Sequence, residues 1–87
     1  MLTDWNERKH IISTAFRNAP ELPADYDPAA YQELLATLPI HGQRDYAILV
    51  AIVRDAIMQA RREGRQTKLL EGFLQWVERY RSRITPS

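Results

Sequence analysis

Eighty-seven residues, 45% of them hydrophobic and 26% charged, make one small domain of ordinary soluble composition, outside the range of disordered chains. A domain this short buries only roughly 60–65% of its unfolded surface, so its stability is modest unless association adds to it. The absence of cysteine excludes a disulfide scaffold, a thiolate metal site and a cysteine nucleophile, and it is compatible with a reducing compartment.

The net charge of +1 is unevenly spread. Residues 1–40 hold three basic and six acidic side chains, a net of −3, and residues 41–87 hold nine against five, a net of +4. The opening MLTDWNERKH carries acids and no long apolar run, unlike a secretory signal. The longest apolar run, Tyr46 to Val53, is far shorter than the roughly 20 residues a spanning helix needs. A cytoplasmic protein with no membrane attachment is expected.

The first predicted element is a helix over about residues 4–18. Trp5, Ile12, Ala15, Phe16 and Ala19 fall on one side at helical spacing, with Ile11 at the edge. Thr3 or Asp4 is positioned to cap it, and Asp4 with Glu7 outlines a capping box. Pro20 should end it, because the residue before a proline is pushed out of the helical region. A surface loop rich in proline and acid follows, with Leu22 and Tyr26 as possible anchors.

A second helix, about 28–38, is well punctuated by Asp27 as N-cap, Pro28 in the first helical position and Pro39 beyond the end. Tyr31, Leu34, Leu35 and Leu38 form its buried stripe. A turn then carries Gly42, read as a position where glycine's conformational freedom is used.

YAILVAIV alone fits a buried strand as well as a helix. Its continuation, RDAIMQARREG, settles on helix, through good helix formers, no proline, and Gly64 where a left-handed C-cap belongs. The third helix therefore runs over about 43–63. Tyr46, Leu49, Val50, Val53, Ala56, Ile57 and Ala60 gather on its main core face. Ile48, Ala51 and Ile52 lie on the far side beside Asp55, Gln59 and Arg62. A helix apolar all round must be covered all round. Either the first or second helix covers Ile48 and Ile52 within the chain, or another subunit or partner does.

The fourth helix, about 67–84, repeats Leu69, Leu70, Phe73, Val77, Tyr80 and Ile84, with Leu74 and Trp76 flanking. The expected fold is all-α, a compact bundle of four helices with a long central third helix.

Catalytic and metal chemistry find little support in the pattern. Glu7 and His10 match the Glu-x-x-His spacing of di-iron bundles, but only one copy is present and His10 projects away from the core. His41 precedes the free N–H groups of the third helix, where an anion could bind, yet no phosphate-loop glycines surround it. Ser13, Ser82 and Ser87 lack the setting of a nucleophile. No enzyme activity, cofactor or metal is expected.

Two binding surfaces are expected instead. The leading one is a protein interface, of a homodimer or a helical adaptor, using Ile48, Ile52, Asp55 and Gln59, with Leu74 and Trp76 as a second patch. The alternative is a nucleic-acid surface in which Arg62, Arg65, Lys68, Arg79 and Arg83 contact phosphates and Arg65 and Trp76 stack or bind backbone. A helix-turn-helix around Gly64 is a minor variant, opposed by the charged Glu63 and Arg65 and by the length of the preceding helix.

Overall fold

Local signals place the helix ends, and packing around the third helix arranges the rest. A computed structural model of the chain describes residues 2–19 and 27–83, with side chains from Trp5 onward. They form α1 (Leu2–Asn18), α2 (Pro28–Ala36), α3 (Gln43–Arg62) and α4 (Lys68–Arg83), with no strand among the described residues. The all-α four-helix reading is correct. Leu22, Tyr26, Ile84 and Ser87 lie outside the described residues.

α1 begins at Leu2, so Thr3 and Asp4 sit within its first turn rather than ahead of it. α2 opens on Asp27, whose carboxylate accepts the Ala29 N–H at 3.0 Å, with Pro28 in the first turn where a missing N–H costs nothing. It ends at Ala36, two residues earlier than the pattern suggested. The Thr37 hydroxyl donates to the Leu34 carbonyl at 2.7 Å, and the Thr37 and Leu38 N–H groups reach back only three residues, each at 3.0 Å. Side-chain competition for that carbonyl and the approach to Pro39 tighten the last turn. All four expected stripe residues, Tyr31, Leu34, Leu35 and Leu38, are nevertheless buried.

Gly64 ends α3 in the left-handed region at φ +70°. The Arg65 N–H donates to the Ala60 carbonyl at 2.8 Å and the Gly64 N–H to the Arg61 carbonyl at 3.1 Å, the paired bonds of a Schellman cap. Gly42, by contrast, is simply extended, and an added Cβ would meet nothing within 4 Å. Its expected use of glycine's freedom is not realised.

α3 is the central element, packed against both α1 and α4, while α2 packs on α4. Ile48, Leu49 and Val53 are fully buried, and Val50, Ile52 and Ile57 nearly so. The apolar far face is thus covered within the chain, by α1, whose Ile12 is itself fully buried. Of the two ways of covering Ile48 and Ile52, cover by the chain itself is the one observed. Burial of each such side chain contributes about 1.5–3 kcal/mol.

The other half of the core is aromatic. Phe73 meets Phe16 of α1 at 6.1 Å between ring centroids and Tyr31 of α2 at 5.5 Å, edge to face. Trp76 is stacked between Phe73, at 6.2 Å, and Tyr80, at 5.1 Å, and Tyr80 continues to Tyr46 of α3 at 5.8 Å. One run of rings therefore ties all four helices together, each pair adding about 0.5–1.5 kcal/mol beyond area burial. Burial and the neighbouring Tyr80 push the Tyr46 hydroxyl above its ordinary pKa.

Two expected core positions are exposed. Trp5 lies one turn before Arg8, which joins α1 to the start of α3, and Leu69 lies in the first turn of α4. Ile48→Ala should therefore destabilise the fold by about 2–5 kcal/mol in urea unfolding, the usual cost of truncating a buried isoleucine. Leu69→Ala should change stability by less than about 0.5 kcal/mol, as surface substitutions do. Equal effects at the two positions would contradict the packing described.

Candidate functional site: the groove between α1 and α3

Among the described residues α1 ends at Asn18 while α3 runs on to Arg62. An open groove of about 680 Å³ results where all four helices come together. Phe16 of α1, Leu34 of α2, Ile52 and Ala56 of α3 and Leu70 of α4 form its apolar floor. Lys9, Ser13 and Arg17, spaced four apart on α1, make one wall. Asp55 and Gln59, also four apart, make the other, and Arg65 closes the end beyond the Gly64 turn. The walls touch through Lys9 and Asp55, 3.8 Å apart and both well exposed, a pair worth little on its own.

Three of the six residues expected at a protein interface, Ile52, Asp55 and Gln59, line this groove. Ile52 contributes floor rather than a projecting contact, being 7% exposed. Ile48 does not reach it and is core. Trp76 is core too, stacked with Phe73 and Tyr80, and Leu74 is half-buried against the core. The second expected patch, Leu74 with Trp76, is therefore part of the aromatic packing.

The basic residues divide among different surroundings. Arg65 lines the groove and pairs with Glu63 at 2.7 Å, and Arg61 pairs with Glu71 at 3.2 Å. Arg62, Lys68, Arg79 and Arg83 are exposed and form no ion pair with the described residues. Arg79 and Arg83 edge a separate cleft of about 150 Å³ with Pro28, Trp76 and Tyr80. Trp76 is only 8% exposed there, with Phe73 and Tyr80 stacked against its ring, which leaves little of it for a base.

The N-terminus of α3 already holds an anion of its own. Gly42, the cap residue, has no side chain to offer, and the Asp45 carboxylate accepts the N–H of the preceding His41 at 2.8 Å. Arg8 reaches the same carboxylate at 2.7 Å and also donates to the Pro39 carbonyl. The Asp45 carboxylate thus sits at the turn where an anion was considered, near enough to the His41 side chain for its charge to act on it. Neither Arg8 nor Asp45 stood out in the sequence. An acid three residues after the cap is half of a capping box and was visible in GQRD; its partner lies 37 residues away and has no local signature.

Burial alone would raise the Asp45 pKa, but the Arg8 hydrogen bond, the His41 N–H and the Arg8 charge outweigh it and hold the carboxyl below its ordinary value. Glu7 and His10 are exposed, and the described residues contain no group of three or more His, Asp or Glu able to hold a metal ion. Ser13 lies in the groove with no hydrogen bond to Lys9 or Asp55, and the Ser82 hydroxyl donates to the Arg79 carbonyl at 2.9 Å. No helix among the described residues is long and apolar enough to cross a membrane. Comparison with protein-family models, curated proteins and solved structures finds no match to this chain.

Asp45→Asn should cost about 1–3 kcal/mol at pH 7, less than a wholly buried pair because the Arg8 side chain is 25% exposed. A lowered folded pKa means that this stability is present above the unfolded value and is lost as pH falls through the folded one. The gap between wild type and variant should hold steady from pH 7 to about 5 and shrink below about pH 4. A gap that stays constant down to pH 2 in denaturant titrations would contradict the pairing.

Proposed function

We propose that this chain is a small non-enzymatic binding module that recognises another protein through the groove between α1 and α3, in a reducing compartment such as the cytoplasm. The observation that carries the reading is the groove itself. Its volume of about 680 Å³ falls within the range of functional ligand sites, about 300–1,000 Å³. Its apolar floor draws on every helix, and its polar walls are regularly spaced. An apolar surface rimmed by charge, left open where the rest of α3 is wrapped, is the usual mark of an interaction site.

A homodimer built on Ile48 and Ile52 is not part of the proposal, because their own chain already covers them. Nucleic-acid binding through Arg62, Lys68, Arg79 and Arg83 ranks second. It rests on their lack of ion-pair partners among the described residues, and the packed Trp76 counts against it.

Site-specific photocrosslinking in the native host tests the leading reading. A photoreactive residue at Gln59, on the groove wall, should give a discrete higher-mass product, whereas one at Gln75, exposed on α4, should not. Equal labelling at the two positions, or none at Gln59, would overturn it.

A further inference from the structure

We infer that α1 is a separately opening cover on α3: it lifts as a unit while α2, α3 and α4 stay packed, and its release bares Ile48 and Ile52. Burial is the first observation. α1 is 17 residues long, yet Ile12 is the only one of its side chains from Trp5 onward that is buried, with Ala15 and Phe16 half-buried beside it. α2 buries Tyr31, Leu34 and Leu35 in nine residues, and α4 buries Phe73, Trp76 and Val77. Trp5 and Ile11, the large apolar groups that could have anchored α1 further, are 40% and 39% exposed. Apolar burial is the main force holding a helix to its neighbours, so α1 is the least firmly held of the four.

The second observation is how the other helices are joined. Tyr31, Phe73, Trp76, Tyr80 and Tyr46 run from α2 through α4 to α3, and α1 only touches this run, where Phe16 meets Phe73 at 6.1 Å. Arg54 with Glu78 and Arg61 with Glu71 also bridge α3 to α4. Among the described helices, the backbone of α1 approaches only that of α3. Taking α1 away therefore leaves the aromatic half of the core and both ion pairs in place.

The third observation is that α1 can be released without stranding a charge. Among the described residues its polar attachment centres on Arg8, which donates to the Asp45 carboxylate at 2.7 Å and to the Pro39 carbonyl. Lys9 and Asp55, 3.8 Å apart and exposed, add little. When α1 lifts, water reaches Asp45 from the side Arg8 occupied, and the carboxylate keeps the His41 N–H. The apolar cost falls on Ile48 and Ile52 and keeps the closed form dominant. Offsetting part of it, the released segment gains conformational freedom, because a lone helix of this length is marginal in water. Opening joins Ile48 to Ile52 and Ala56 in one apolar strip and removes the groove wall of Lys9, Ser13 and Arg17, so the position of α1 sets how much apolar surface the protein presents.

Native-state hydrogen exchange of the full chain, followed amide by amide by NMR in urea below the unfolding transition, tests this. The amides of Ile11, Ile12 and Ala15 should share one opening, with a urea slope between zero and that of global unfolding, because release of α1 exposes part of the surface that unfolding exposes. Those of Leu49, Val53, Phe73 and Val77 should exchange only through global unfolding. Val77→Ala should speed exchange at Leu49 and Phe73 about tenfold or more and leave Ile12 and Ala15 unchanged, since the closed and open forms both keep the Val77 packing. Exchange of Ile12 and Ala15 with the slope of global unfolding overturns the inference, because α1 would then belong to one cooperative unit. A slope of zero overturns it too, as the mark of fraying alone. So does acceleration of the α1 amides by Val77→Ala in step with Phe73. The slopes of the unaltered protein decide the matter even if Val77→Ala does not fold.

Discussion

α3 carries more apolar surface than any one neighbour can cover. Ile48 and Ile52 project to one side, and Leu49, Val50, Val53 and Ile57 spread over the other, so the helix is stable in water only if wrapped from both. α1 supplies one side and α4 the other. The rest of the fold serves that requirement. The Schellman cap at Gly64 turns the chain back so that α4 lies along α3, and the Arg8 and Asp45 contact holds α1 to the start of α3. α2, which packs on α4, adds Tyr31 to the aromatic run that joins α4 to the other three helices.

The groove is where this wrapping stops. Among the described residues α1 ends at Asn18, and α3 extends to Arg62. Asp55 and Gln59 continue the stripe that begins at Ile48 and Ile52, but with polar side chains suited to a rim. Buried and exposed residues thus divide one face of a single helix between them. The N-terminal part is interior, and the C-terminal part forms the wall of an open site.

Much of the fold was legible because its signals are local. Asp27 with Pro28, Pro20, Pro39 and Gly64 each act on the backbone within a turn of their own position, and helical periodicity assigns the stripe residues of α2 correctly. What was not legible depends on which neighbour an element meets. A helical projection puts Ile48 and Ile52 on one face but cannot say that α1 covers it. It marks Trp76 as flanking a stripe without showing that it is buried and stacked with Phe73 and Tyr80. It places Trp5 with the core because it knows nothing of where α3 begins. The candidate site was half legible on the same grounds. Ile52, Asp55 and Gln59 came from the periodicity of α3, whereas Lys9, Ser13 and Arg17 join them only through the crossing of α1 over α3.

The covering of α3 by its own chain is tested most directly by the dependence of the melting temperature on protein concentration. If a second copy completed the core, mass action would raise Tm as the protein is concentrated. Thermal unfolding followed by circular dichroism from about 1 to 100 μM should give one Tm throughout, because Ile48 and Ile52 are covered in the monomer. A Tm that climbs steadily over that range would show that another chain supplies the cover, and would contradict the role of α1 as the cover of that face.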